Sequence, residues 1–508
     1  MTRIALLLAA GVLLGPAPVF GQQVPYLSEL FSRYERFNKL YKAKKQSGAN
    51  LAAIEPLRKK GEEAFRTGNI PAILQMEGEA LALLEGRQWD DREKFIASLT
   101  LETNRLILEP HSDLRVSLVR MFPVDTTKAF SDTPTVTFEV TEAPGQNGAE
   151  GPRLSKPLSL ADRVPIAEIG SQAGRRLLIA DGAYWVRARI ESGGKTVTEL
   201  KCSLYAMAGL SDTMATLIGT IAAIKTSTDP SVKAVAGLVS TPEFQLARLK
   251  ALTAARGEDE IDPIKELDRV ESTVTSLSKG KNPYADERGE LERAYLSPDG
   301  ALVPYRIYVP KSYTGASPAP LVVMLHGALG DEHYYFSGLF DPELIKGEAE
   351  RRGWILAGVN GRGRFSGYSG PAVDDTFQVV SAIESSYKID PSRVFLTGHS
   401  MGGFGVWLVA SAKPDLFAAI APVSGGAPVK GDALSRLLQT VKDLPAMIVH
   451  GARDGVIPPS QSRDMASAAQ KAGLKVTHLE PPDSDHLSVL SATFPAILDF
   501  FEKNAKRQ

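Results

Sequence analysis

Val394-Phe395-Leu396-Thr397-Gly398-His399-Ser400-Met401-Gly402-Gly403 is the stretch on which the reading of this chain turns. An apolar run ends in Gly-His-Ser-Met-Gly and then passes into the helix-like segment Phe404 to Ala412. A strand, a sharp turn and a helix form the context in which G-x-S-x-G presents a nucleophilic serine. The turn is tight enough to hold Ser400 in a strained backbone conformation, with Gly398 and Gly402 leaving room for the crossing strand and helix. Alone, the pentapeptide is a weak signal, because small-residue turns containing serine are common. Its weight comes from the order of the residues downstream.

Leu444 to Gly451 reads as a buried strand, and Ala452-Arg453-Asp454-Gly455-Val456-Ile457-Pro458 as the loop at its carboxyl end. A second strand, Lys475 to Glu480, runs into Pro481-Pro482-Asp483-Ser484-Asp485-His486. A serine hydroxyl is a poor nucleophile without a base, and His486 is placed to take its proton. Asp454 would fix the imidazole tautomer and stabilise the imidazolium that forms. A histidine base implies activity that rises with pH through roughly 6 to 7. Asp483 and Asp485 crowd His486 but read as caps of the following helix. Of the seven histidines, His326, His399 and His450 adjoin sharp turns and read as structural. His478 sits in a strand pattern, His333 follows the His-Gly loop, and His111 lies far away.

Upstream, Ala319 to Leu325 reads as a buried strand that ends in His326-Gly327-Ala328-Leu329-Gly330-Asp331. In a strand–elbow–helix architecture this loop gives one backbone N–H to the developing oxyanion, and Met401, after the serine, gives the other. Either Ala328 or Leu329 can be the loop's donor.

The stretch 290 to 505 resembles the α/β-hydrolases, in the branch that holds prolyl-oligopeptidase-like enzymes, feruloyl esterases and polyhydroxybutyrate depolymerases. The resemblance rests on Leu325-His326-Gly327, Ile389 to Val394, Gly398 to Gly403, Pro414 to Ala419 and His450-Gly451-Ala452-Arg453-Asp454, with Ser400, Asp454 and His486 in that order. It implies a mostly parallel sheet, serine hydrolysis, no cofactor and no metal. Many members continue the His-Gly loop with further glycines, where this chain has Ala328-Leu329.

Met1 to Gly21 has the pattern of a secretory signal: Arg3, an apolar segment Ile4 to Leu14, and small residues before Gln22. The apolar run falls short of the ~20 residues of a membrane span. Export to the periplasm or exterior is expected. The single cysteine, Cys202, can form no intramolecular disulfide, so the fold must rest on its cores. A net charge of −1 and the lack of a basic stripe argue against a nucleic-acid partner. With 508 residues and 43% hydrophobic content, the chain can bury two or three cores.

After the signal, residues 22–110 carry helical periodicity from Leu27 to Leu108. Residues 111–207 turn to strand patterns, with Glu191-Ser192-Gly193-Gly194-Lys195 as a hairpin turn, and suggest a β-sandwich of immunoglobulin-like size. Helices return over 208–285, with a polar linker at its end, and the α/β domain occupies 286–508. Strands are expected at Leu302–Val309, Leu321–Leu325, Trp354–Val359, Val394–Leu396, Ala418–Pro422, Met447–Val449 and Val476–Leu479. Little room for a lid remains between Ala421 and Pro445, which suits a bulky substrate. His333 to Phe336 and Gly361 to Pro371 are expected to rim the cleft, with Tyr334, Tyr335, Arg364 and Tyr368 as candidate substrate contacts. Three functions are open: an exported carboxylic-ester hydrolase acting on small or polymeric esters, a prolyl-oligopeptidase-like peptidase, and a non-catalytic binding protein.

Overall fold

The structure is a computed structural model and describes residues 26–109, 112–125, 128–143, 150–157, 167–170, 180–256 and 261–506. The signal-like segment and His111 lie outside these residues. Two compact units divide the chain, one covering Val24–Lys281 and the other comprising Asn282–Gln508.

The carboxyl-terminal unit is built on one sheet of eight strands. In chain order these are β1 (Gly289–Leu296), β2 (Leu302–Val309), β3 (Ala319–Leu325), β4 (Ile355–Val359), β5 (Ile389–His399), β6 (Ala419–Val423), β7 (Ala446–Val449) and β8 (Val476–Leu479). Across the sheet they run β8-β7-β6-β5-β3-β4-β2-β1. Strand β2 is antiparallel to β1 and β4, and every other pairing is parallel. Five helices connect strands, α1 (Pro342–Arg352), α2 (Pro371–Glu384), α3 (Met401–Ala412), α4 (Asp432–Thr440) and α5 (Ser460–Lys471), and α6 (Ser488–Lys503) follows the last strand.

Helices on both faces explain why β3 is buried at every position and reads as an unbroken apolar run. The pleat sends its residues alternately to two cores. Leu321, Val323 and Leu325 pack with Phe377 and Val380 of α2, Trp407 of α3 and Met465 of α5. Val322 and Met324 pack with Ile345 of α1 and with Phe494, Ile497 and Phe501 of α6. Phe395 of β5 stacks on Phe501 at 4.7 Å between centroids and on Trp354 at 5.5 Å. Truncating so buried a ring costs about 3–5 kcal/mol.

Strand β1 is absent from the expected set. Gly-Glu-Leu-Glu-Arg-Ala-Tyr-Leu has no apolar run, yet Glu292 and Arg293 are buried in it. Arg293 lies 4.0 Å over the Tyr284 ring and donates to the Glu292 carbonyl at 2.7 Å. Charged residues can occupy a strand when their ionic and aromatic partners come from outside the local pattern.

In the amino-terminal unit, helices span Leu27–Gln46, Glu55–Arg66, Ile70–Leu84 and Asp91–Ser98. Helical character ends there, short of the expected Leu108, because Leu99–Thr103 is a strand with Leu99, Leu101 and Thr103 buried. That alternation is a period of two, not of 3.6. A three-stranded and a five-stranded sheet follow. Leu101, Val116 and Leu118 of the first share one core with Phe138, Val186 and Ile190 of the second. Gly193 and Gly194, at φ 59° and 71°, close the hairpin between Gly182–Ser192 and Lys195–Ala206. Helices Leu210–Lys225, Pro230–Val235, Ser240–Ala254 and Pro263–Ser278 complete the unit around a core of their own.

Candidate active site

Four loops leave the carboxyl ends of β3, β5, β7 and β8, and the polar residues of interest sit on them. Strand β5 ends at His399, Ser400 turns the chain, and α3 begins at Met401. Ser400 has φ 56° and ψ −116°, a conformation that side chains with a Cβ rarely adopt. Its N–H donates to the Val423 carbonyl at 2.9 Å, which fixes the turn against β6. A Cβ on Gly398 would run into the Gly402 carbonyl, and one on Gly402 into the Leu325 carbonyl. The elbow exists because these two positions carry no side chain.

Ser400 Oγ lies 3.0 Å from His486 Nε2, and His486 Nδ1 lies 2.7 Å from Asp454 Oδ2. All three residues are buried. The other carboxylate oxygen of Asp454 accepts from the N–H groups of Val456 at 2.9 Å and Ile457 at 2.8 Å. Burial alone would raise the Asp454 pKa. Hydrogen bonds from His450, His486 and the backbone outweigh it and hold the carboxyl well below its ordinary value. Its loop is stitched to the histidine loop by Ala452 N–H to the Pro481 carbonyl at 3.0 Å and Arg453 N–H to the Ser484 carbonyl at 2.9 Å.

Of the two neighbouring carboxylates, Asp485 accepts from Ser488 N–H at 2.8 Å and Leu487 N–H at 3.2 Å, at the start of α6. Asp483 does no capping. Its carboxylate pairs with Arg453 at 2.5 Å on the surface.

Two histidines that read as structural touch this line directly. The His399 Nε2–H donates to the His486 carbonyl at 2.6 Å, while its Nδ1 lies 2.8 Å from the Tyr334 hydroxyl. Burial pushes the His399 pKa down to about 3, so the ring is neutral. His450 reaches Asp454, with Nε2 at 3.1 Å from Oδ2. The i, i+4 spacing of His450 and Asp454 was visible in the sequence. The fold of the loop that brings them together was not.

The His-Gly loop is held in a conformation of its own. Leu329 has φ 69°, and its N–H donates to the Arg364 carbonyl at 2.9 Å. Arg364 Nη1 returns a bond to the Leu329 carbonyl at 2.7 Å and lies 3.3 Å from Asp331. The Leu329 N–H is therefore engaged away from Ser400. Met401 opens α3, where the first N–H groups have no intrahelical partner.

The expected rim of tyrosines is instead core. Tyr334, Tyr335 and Tyr368 are 5%, 0% and 0% exposed. The Tyr335 hydroxyl donates to the Leu325 carbonyl at 2.8 Å, and that of Tyr368 accepts from His326 N–H at 2.7 Å. With rings buried and hydroxyls engaged, they brace the loops from within. Arg364 clamps the neighbouring loop. The exposed aromatic of this segment is Phe365, at 40%, and Gly367 N–H reaches Met401 Sδ at 3.4 Å. Between β6 and β7 the described residues hold the single helix α4.

Glu292, Glu332 and His333 gather within 4.8 Å, a cluster that no sequence spacing revealed. Arg306 lies among them, 3.6 Å from Glu292 and in contact with His333.

The model of the prolyl oligopeptidase family matches residues 368–440, the segment that contains the elbow. Poly(3-hydroxyalkanoate) depolymerase C of Paucimonas lemoignei is 33% identical over 124 residues, 21% of this chain and 28% of that protein. The bifunctional acetylxylan esterase/xylanase XynS20E of Neocallimastix patriciarum is 28% identical over 166 residues, 32% of this chain and 23% of that protein. Feruloyl esterase B of Talaromyces funiculosus is 31% identical over 137 residues, covering 25% and 37%. The chain thus spans well under half the length of these curated relatives. Sheet order gives the carboxyl-terminal unit the α/β-hydrolase fold, and these likenesses make it similar to serine hydrolases. It resembles the branch of prolyl oligopeptidases, feruloyl esterases and polyhydroxyalkanoate depolymerases. Among the described residues, no helix is long and apolar enough to cross a membrane.

Proposed function

We propose that this chain is an exported serine esterase that cleaves carboxylic esters through Ser400, His486 and Asp454. The observation that supports it is the continuous line of hydrogen bonds from Ser400 Oγ through His486 to Asp454, at 3.0 and 2.7 Å. In this reading Ser400 Oγ attacks the ester carbonyl while His486 Nε2 takes its proton. The tetrahedral oxyanion is met by the N–H groups of Met401 and Ala328, since that of Leu329 is engaged with Arg364. His486 then returns its proton to the departing alcohol, leaving an acyl-serine. Water attacks the acyl group with His486 again as base, releasing the acid and restoring Ser400.

An ester is favoured over an amide by the esterase and depolymerase relatives, and a polymer-linked ester by the absence of room for a large lid at α4. The family match over residues 368–440 supports peptide hydrolysis as the second reading. The deciding experiment offers p-nitrophenyl acyl esters and a panel of peptide amides to the full chain and to Ser400→Ala. Ester turnover that disappears in Ser400→Ala is the expected result. Peptide turnover exceeding ester turnover would transfer the assignment to a peptidase. No reaction with a fluorophosphonate probe would remove both.

A further inference from the structure

Asp454 has two histidine neighbours, and the reaction just described uses one. His450 is completely buried, with Nε2 3.1 Å from Asp454 Oδ2 and 3.0 Å from the Ile457 carbonyl. Both of these groups only accept, so Nε2 must carry a hydrogen. On the far side of the ring, Nδ1 is 2.6 Å from Ser462 Oγ, and Ser462 Oγ is 2.7 Å from the Gly425 carbonyl. A hydroxyl has one hydrogen to give. Given to Nδ1, it would leave the Gly425 carbonyl facing an oxygen lone pair at 2.7 Å in a buried site. Given to Gly425, it leaves Ser462 Oγ as an acceptor, and Nδ1 must donate. Only the second arrangement satisfies every group, and it places hydrogens on both ring nitrogens.

We propose that His450 is a positioning residue for the catalytic acid: a buried imidazolium that shares Asp454 Oδ2 with His486. The proposal rests on the triad reading above. A buried cation needs a counter-ion, and the ionised Asp454 is in contact with it. The other titratable groups facing His450 are His486 and His399, with His478 and Glu480 from the β8 side. Glu480 is itself engaged by Arg463 Nε at 2.8 Å. Two consequences follow for the reaction. The carboxylate is fixed by four donors, so it cannot turn away from His486. The fixed positive charge also weakens the pull of Asp454 on the proton that His486 acquires, so His486 returns it to the leaving group more readily.

The test uses the full chain with ring-nitrogen-labelled histidine and a p-nitrophenyl ester. Nitrogen NMR should show His450, assigned by its loss in His450→Gln, with hydrogens on both ring nitrogens under the conditions of the assay. A ring with one bare nitrogen there overturns the proposal. In kinetics, His450→Gln keeps an amide donor for Asp454 but no charge. The acid limb of its kcat/KM profile should move up by about one pH unit. A merely structural role would lower stability or kcat and leave the limb where it was. Ser462→Ala, which removes the acceptor for Nδ1, should move the limb in the same direction and serves if His450→Gln does not fold. A limb that stays in place, or moves down, in the folded variants overturns the proposal. The NMR result does not depend on turnover, so it separates this idea from a failure of the triad assignment.

Discussion

Every residue of Ala319–Leu325 is buried, whereas along Gly182–Ser192 buried and half-buried residues alternate. The backbone is extended in both; the covering differs. Helices on both faces of the carboxyl-terminal sheet leave no polar side chain along Ala319–Leu325, and His326, Ser400 and His450 stand at the strand ends. The amino-terminal sheets meet on one face only, and their polar residues spread along the other. There Arg189 pairs with Glu199 at 3.0 Å and Lys201 lies 4.6 Å over the Trp185 ring. Charges on an open sheet face neutralise one another in place. Charges expelled to the ends of parallel strands converge, and convergence makes chemistry available.

The comparison breaks most readily at Ser400. If catalysis belongs to the strand ends, Ser400→Ala should lower ester turnover by about 10⁴-fold or more while circular dichroism stays unchanged. Residual turnover near the unmutated level would place the chemistry elsewhere. Asp454→Asn should cost about 10⁴-fold through the wrong imidazole tautomer. The contrasting change, Asp485→Asn, should act on the start of α6, with a stability loss of at most about 1 kcal/mol in denaturant titration. If Asp485→Asn damaged turnover more than Asp454→Asn, the acid would have to be reassigned.

A subtler break lies in acid stability. His399 is buried neutral, with a pKa brought down to about 3 by burial. Folding excludes its proton, so its contribution is intact above the ordinary histidine pKa of ~6.5 and is lost as pH falls toward 3. Asp454, held below its ordinary value, adds a loss of the same sign at lower pH. Denaturation midpoints measured down this range should fall more steeply in the native chain than in His399→Gln. Equal slopes would mean that the elbow histidine takes up its proton without cost. The smallest expected effect concerns the other unit: a chain beginning at Asn282, where the carboxyl-terminal unit starts, should keep its turnover of small esters. Loss confined to a polymeric ester would give the amino-terminal residues a part in recruiting substrate.

Much of the hydrolase sheet could be read from the sequence because buried parallel strands write themselves as apolar runs. Strand β1 could not, since Glu292 and Arg293 are satisfied by partners outside their local pattern. Ser400, Asp454 and His486 could be nominated because each lies at a strand end with its own turn chemistry. The roles of the tyrosines could not be read in the same way. An aromatic beside a glycine-rich loop looks alike whether it lines a cleft or fills the space beneath, and Tyr368, wholly buried against His326, does the latter. The His450 contact depends on how the loop after β7 folds back, and no periodicity encodes that.

The backbone of Ser400 stands at φ 56° and ψ −116°, where any Cβ is strained by about 1–3 kcal/mol. Glycine would relieve that strain, less the 0.5 to about 1 kcal/mol it loses to a freer unfolded chain. Glycine would therefore be the more stable residue at this turn, and on the proposed reading it would also silence the protein. Selection for heat resistance alone, with no demand for turnover, would then favour loss of the Ser400 hydroxyl.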